Sequence, residues 1–412
     1  MAQFNRNFWL YLASGAIWSL GLMSFFLVYN LYLLDLGFNE AVMGQISSAM
    51  TLGSLTITVP AGLLLNRYGL NRMLQVSVIA AGISLLLRSS VDVAWLLTLF
   101  AFLSGAAIGI WMVSTPPFLT QNTASETRSR AFSLTYGISI GMGAMAGLLA
   151  GLSRYWWSWF GTPAPPDFLL KKYWLYASSA LVLSSSILLL RLKENPAGAP
   201  IASAPNLYTN SFLRQLQSRP FILRLLIVLI FWSFFVGSFS PFFNVFFSRK
   251  YNQSLPGIGL IFSLSQICQL SAVLSMPWLI RKLGRVPAIF SMQLAAAGFL
   301  PLLVLIADVQ LAALIYLIYL SFQVMCEPAL ENFIMDSVSP AERNMVSALR
   351  YMTLFLVQAV AVWITGYAIA QLGYSLLLVV IAILGISAAF TFYLFFHSGP
   401  ISSYVSTARP LN

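Results

Sequence analysis

Charge is what this chain has least of. Only 8% of its 412 residues are Asp, Glu, Lys or Arg, against roughly a quarter in an ordinary soluble domain, and that scarcity excludes a water-soluble globular class. Cysteine is equally sparse. Cys268 and Cys326 both fall inside apolar runs, with no CxxC and no adjacent histidine, so neither a disulfide framework nor a metal site is expected. The one histidine, His397, stands near the C-terminal end, and no HExxH, GxSxG or GxxxxGK[ST] occurs. Those gaps remove the common metalloprotease, serine-hydrolase and phosphate-loop chemistries; the expectation is no enzyme, no cofactor and no ATP-driven pump. Basic residues outnumber acidic ones 22 to 11, but they are scattered singly between apolar runs rather than clustered on one face, so a nucleic-acid partner is not expected. Nor does a small-residue cleavage pattern follow Met1–Asn7, which leads straight into an apolar segment and predicts a retained first span.

What the chain has in abundance is long apolar runs: 59% of residues are apolar and the mean hydropathy is +0.83. A run of about 20 such residues crosses the roughly 30 Å hydrocarbon layer as a helix. Six runs precede the centre, near 9–34, 41–64, 73–92, 94–118, 131–153 and 172–192, and six follow it, near 221–247, 257–280, 287–306, 310–335, 345–370 and 374–396. Between the two sets lies a polar, Pro-punctuated stretch that reads as a linker. The predicted fold is therefore all-α and integral to the membrane, with 12 transmembrane helices in two pseudo-symmetric six-helix bundles. Its expected parts are an N-terminal bundle over 1–192, a linker over 193–220 and a C-terminal bundle with a tail over 221–412.

A repeat supports the two-bundle reading. A shift of 215 residues carries Arg67 to Lys282, Gly69 to Gly284, Gly44 to Gly259, Arg128 to Arg343, Tyr136 to Tyr351 and Gly151 to Gly366, as a duplicated half predicts. Most Lys and Arg in loops fall on the side of the termini, among them Arg67, Arg72, Arg281, Lys282 and Arg285. By the positive-inside rule this puts both termini and the linker in the cytoplasm, with the plasma (inner) membrane the expected location. Tyr155, Trp156, Trp157 and Trp159, ahead of a Pro-rich loop, look like an interfacial aromatic belt.

The hinge Gly62-x-Leu64-x-Asn66-Arg67-x-Gly69-x-x-Arg72 resembles the loop between the second and third spans of the major facilitator superfamily. A degenerate copy at Arg281, Lys282, Gly284 and Arg285, the twelve runs and the central linker extend the resemblance over essentially the whole chain. It implies a cytoplasmic gating motif at these positions. Two departures stand out: Asn66 where the family usually has Asp, and Leu70 where it usually has Arg. In the family that carboxylate is thought to face a helix N-terminus and latch the outward-open state, so the resemblance implies a weaker latch here.

Ionisable residues within spans are costly and point to a partner or a wet cavity. The tenth run supplies Glu327 and Glu331, four apart and so on one helix face; the eleventh supplies Arg350. Glu331 and Arg350 lie at similar depth, and the expectation is an ion pair between them. Glu327, one turn deeper with no second cation in view, is then the proton-coupling carboxylate, unless Gln323 or Gln358 holds it as a neutral acid; Pro328 after it should loosen the local helix ladder. Arg88 is expected to snorkel or to meet Asp92. Asn30, Asn244, Gln266, Gln269, Gln323, Gln358, Trp18 and Trp111 are candidates for the walls of a substrate cavity. Gly137, Gly141, Gly143, Gly147 and Gly151 form a stripe that predicts close helix packing; it also resembles the Gly-rich fifth span of the family's antiporters, without their Pro, and so favours export.

A duplicated bundle without a phosphate loop predicts a monomeric secondary transporter working by alternating access. Its predicted partners are a small neutral or amphipathic solute, the proton and membrane lipid. The alternatives are an importing symporter or uniporter for a small metabolite, and a non-transporting receptor or scaffold on the same fold.

Overall fold

In the computed structural model, which describes residues 4–159, 161, 164–193, 220–339 and 342–397, secondary structure among the described residues is helical throughout. The first half gives α1 (Arg6–Asp35), α2 (Glu40–Tyr68), α3 (Leu70–Ser90), α4 (Ala94–Asn122), α5 (Arg128–Gly151), the short α6 (Ser153–Ser158) and α7 (Asp167–Leu189). The second half gives α8 (Pro220–Phe239), α9 (Phe243–Tyr251), α10 (Leu255–Leu283), α11 (Arg285–Phe299), α12 (Leu302–Leu305), α13 (Val309–Asp336), α14 (Arg343–Leu372) and α15 (Tyr374–Phe396). Nearly all of the predicted linker lies outside the described residues.

Among the described residues, ten helices are long and apolar enough to cross a membrane, or eleven when the bent pair Glu40–Thr58 and Pro60–Tyr68 is taken as one span. The helix that does not reach that hydropathy is α7, the last of the first six runs. Its reason is physical: Ser178, Ser179 and Ser185 are buried, and the Ser14 hydroxyl of α1 donates to the Ser185 carbonyl at 2.9 Å. Small polar side chains at a helix interface let backbones approach and lower the hydropathy of the run. Large apolar side chains such as Leu274, Leu305 and Leu394 point outward instead, as a lipid-facing surface requires.

The 215-residue shift holds in the backbone. It carries α2 onto α10 at both ends, and Leu70–Ser90 onto the Arg285–Leu305 segment. It also pairs the left-handed turns. Gly69 and Gly284 both have φ of +84°, and Gly37 at +83° falls on Asn252 at +50°, which is the only described residue besides glycine with positive φ. Asn is the side-chain-bearing residue most at ease there. The register breaks after α5: Asp167–Leu189 maps onto Tyr374–Phe396 with a shift of 207, because the first copy holds extra chain around α6.

The chain gathers into two compact units. One holds the described part of Met1–Ser203 together with Pro241–Ile267. Within it α2 packs on α4, α1 on α5, α7 and α9, and α3 on α4 and α7. The Asn5 side chain caps α1 by accepting from the Phe8 N–H at 2.8 Å, and Asn7 exchanges two hydrogen bonds with the Lys193 backbone, at 3.0 and 3.2 Å, where the described chain leaves α7. The other unit holds the described part of Ala204–Ser240 with Cys268–Asn412. There α8 packs on α14 and α15, and α11 on α13 and α15.

Candidate functional site

Three carboxylate and guanidinium groups meet in the second unit. From α14, Arg350 extends two nitrogens toward α13: Nη2 lies 2.9 Å from Glu327 Oε2, and Nη1 lies 3.4 Å from Glu331 Oε2. The expected pairing is thereby revised. Glu327 does not lack a cation; it is the nearer of the two acids, because the reach of the arginine side chain spans a full turn of α13. The second surprise is Trp232 of α8, whose Nε1 donates to the other Glu327 oxygen at 2.8 Å. Neither Gln323 nor Gln358 takes that role: Gln323 Oε1 is buried without a hydrogen-bond partner, and Gln358 packs against Gly237.

Arg350 is buried, with 5% of its side chain exposed, while Glu327 and Glu331 keep 30% and 40%. A buried guanidinium is always charged and needs its carboxylates; the two acids keep part of their surface uncovered. With both acids ionised the cluster carries one negative charge in excess. Pro328 sits inside an uninterrupted α13, so the loosened ladder expected after Glu327 does not become a break. Along the same face lie Gln323 and the buried, unpartnered hydroxyl of Tyr319, with Phe235 edge-on to the Tyr319 ring and Phe239 tilted against it. Sequence reasoning missed Trp232, which sits in an apolar run and carries no local signal of its hydrogen bond.

The remaining candidates divide by unit. In the first unit Trp18 stacks on Trp111 at 5.0 Å, and Trp111 on Tyr11 at 5.3 Å. Asn30 and Asn244 are both buried and engaged with backbone: Asn30 Nδ2 donates to the Pro241 carbonyl at 2.6 Å, and Asn244 Nδ2 to the Leu27 carbonyl at 2.7 Å. Gln266 lies against Gly143. Gln269, half-buried on α10, belongs to the other unit.

The glycine stripe of α5 splits into two. Gly137 and Gly141 face open space, whereas Gly143, Gly147 and Gly151 meet the first half of α10, where Gly147 and Gly259 leave no room for a Cβ on either side. The Ser263 hydroxyl donates to the Ala144 carbonyl at 2.7 Å across the same crossing. Nearby, Arg249 Nε pairs with the buried Glu40 carboxylate at 2.9 Å. Together with the two asparagines, these contacts tie 241–267 to α1, α2 and α5 at the end away from the termini.

At the termini's end, the hinge residues Asn66, Arg67, Gly69 and Arg72 are exposed, and Gly62 is half-buried. Arg67 lies over the Tyr68 ring at 5.4 Å, and in the second copy Lys282 lies over Trp278 at 5.2 Å. Arg281 and Gly284 border the same turn, and Arg285 pairs with Asp336. Arg88 departs from expectation. It neither snorkels nor meets Asp92; it is 2% exposed, because the interior offers its charge an aromatic face, with Tyr29 at 4.1 Å from the guanidinium carbon.

Comparison with known proteins bears on the family and the fold. The sequence pattern described as Major Facilitator Superfamily matches residues 8–326 and 234–411. No curated protein matches the chain in sequence. Among solved structures, the nucleoside transporter NupG is similar with a TM-score of 0.73 at 16% identity, covering 96% of this chain and 100% of that one. The D-xylose-proton symporter gives 0.74 and 14%, with 96% and 98% covered. A bacterial homologue of the human lysosomal transporter Spinster, in an inward-facing and unoccupied conformation, gives 0.76 at 13% with 99% of each chain covered. At these identities the likeness is one of fold.

Proposed function

The chain belongs to the Major Facilitator Superfamily, and from that premise we propose that this multi-pass membrane protein moves a small neutral or amphipathic solute by alternating access, coupled to protons through Glu327, Glu331 and Arg350. One observation carries the coupling: two half-exposed carboxylates share one buried guanidinium. A single arginine neutralises one acid, so one proton, or its equivalent in positive charge, brings the cluster to neutrality in a medium where residual charge costs several kcal/mol. A proton on Glu327 releases Arg350 Nη2 to Glu331 and leaves the Trp232 indole a neutral partner. The movement of one proton thus exchanges one ion pair for another within a single cluster.

The solute class rests on what each unit offers by itself: stacked aromatic faces at Trp18, Trp111 and Tyr11 in the first, and single uncharged hydrogen-bonding groups at Tyr319 and Gln323 in the second, the kinds of group that small-molecule sites use. Gln266, Gln269 and Gln358 extend that uncharged polar set. Asn30 and Asn244 are assigned instead to holding the end away from the termini closed. The hinges around Gly69 and Gly284 are assigned as the gating motif at the termini's end, and the excess of Lys and Arg on that side supports a cytoplasmic orientation in the plasma (inner) membrane. The working unit is a monomer in contact with lipid, and export is the favoured direction.

The test is a screen of purified protein for solutes that raise its melting temperature, since a ligand of the native state stabilises by mass action, followed by flux in proteoliposomes under an imposed pH gradient. Gradient-driven flux that Glu327→Gln renders indifferent to pH is the expected result. Flux equally pH-driven in the variant overturns the coupling assignment, and binding without any flux assigns a receptor in place of a transporter.

A further inference from the structure

We propose that Arg88 and Tyr29 form a binding site for a small monovalent anion, a halide or a carboxylate group, within the helices of the first unit. The inference is independent of the coupling assigned to the second unit. It begins with a charge that has no counter-charge. Arg88 is 2% exposed, cannot shed its proton, and among the described residues pairs with no carboxylate; Asp92, four residues on, is exposed. Its place in the last turn of α3 lets the C-terminal carbonyl dipoles offset part of the charge, an effect worth roughly 0.3–1 kcal/mol. That falls short of the roughly 3 kcal/mol or more that an arginine costs inside the bilayer.

The groups around it supply weak acceptors and no negative charge. From α1, Tyr29 and Phe25 lie under the guanidinium at 4.1 and 5.4 Å; from α2, Met50 offers only a thioether sulfur at 3.9 Å; from α4, Ser104 Oγ accepts from Nη1 at 3.3 Å. Ser104 spends its own proton on the Ala101 carbonyl at 2.8 Å, so it has nothing further to donate. Two donors are left over: Arg88 Nε and the Tyr29 hydroxyl are both buried and both without a partner. Buried polar groups in native proteins are overwhelmingly satisfied, and an orphaned N–H and O–H beside an uncompensated positive charge have one complement, an acceptor carrying a negative charge. A single guanidinium matches a monovalent ion, and the aromatic wall suits a weakly hydrated one.

Thermal unfolding of purified full-length protein at constant ionic strength provides the test, with chloride, formate or acetate replacing bulky isethionate. The wild type should gain about 3 °C or more, saturably, with at least one small anion. A response to chloride alone assigns a free halide, and a response to formate and acetate as well assigns the carboxylate of a solute. Arg88→Gln should abolish the dependence, and Tyr29→Phe, which keeps the charge and the ring, should weaken the apparent affinity several-fold. A wild type indifferent to all three anions overturns the proposal. So does a Tyr29→Phe variant with unchanged anion dependence, a readout that stands even if Arg88→Gln does not fold.

Discussion

The indole of Trp232 and the guanidinium of Arg350 hold opposite oxygens of Glu327, at 2.8 and 2.9 Å. Three helices therefore converge on one carboxyl group, and a change at any of them is felt at the other two. Trp232→Phe keeps an aromatic ring beside Phe235, whose centroid lies 5.1 Å from the indole, and deletes the donor together with part of the buried ring volume. It should cost about 1–3 kcal/mol. Combined with Glu327→Gln, the two changes should be non-additive by at least about 0.5 kcal/mol in a double-mutant cycle. Additive unfolding energies would mean that the contact carries no energy.

Removing the cation is the more damaging change. Arg350→Gln leaves two acids side by side on one face of α13 without their cation, and the loss of one partner of such a pair typically costs about 3–5 kcal/mol. Adding Glu327→Gln to it should recover part of that loss in detergent melting curves. A double variant no more stable than the single one contradicts the charge balance proposed for the cluster.

The two hinges make a matched prediction. Gly69 and Gly284 share a φ of +84° with extended ψ, a region that side-chain-bearing residues avoid at a cost of order 1–3 kcal/mol. Gly69→Ala and Gly284→Ala should each lose stability by that amount, and by similar amounts, since neither glycine has an atom close enough to clash with a new Cβ. A neutral substitution at either hinge would break the equivalence.

At the other end, Gly147→Leu forces α5 away from the first half of α10, where Gly259 and Ser263 already fill the space. A cysteine placed at Gln266, beside Gly143, should then react faster with a membrane-impermeant thiol reagent. Asn244→Ala, which loses the bond to Leu27, should act in the same direction and more weakly. Unchanged labelling in both would separate this crossing from the proposed opening of that end.

Much of this architecture is written in one-dimensional features. Each long described helix coincides with one of the apolar runs, and the six-pair repeat foretold a duplication that the backbone keeps down to the left-handed turns at Gly37 and Asn252. The count of membrane-crossing helices was less legible: α7 follows a run yet falls below the hydropathy of a span, where buried serines serve packing and depress the signal, and α2 reaches it only as a bent pair. Side-chain partners were less legible. Helical spacing put Glu327 and Glu331 on one face, but which of them Arg350 meets depends on side-chain reach across an interface, and spacing along one helix does not encode that. Trp232 and Tyr29 were invisible for the same reason: an aromatic residue in an apolar run announces burial, not the proton on its ring or hydroxyl. Arg88 was misjudged because a cation near a span end usually escapes to water, and here an aromatic wall turns it inward.

The extra chain around α6 also has a practical side. The copies run in step through five helices and fall out of step only there, so the helices on either side keep their register whichever length this segment has. Tyr155 and Trp159 in it are largely exposed. It is accordingly the place to graft an epitope or a fusion partner, or to trim residues for crystallisation, with both halves left in the frame they inherited.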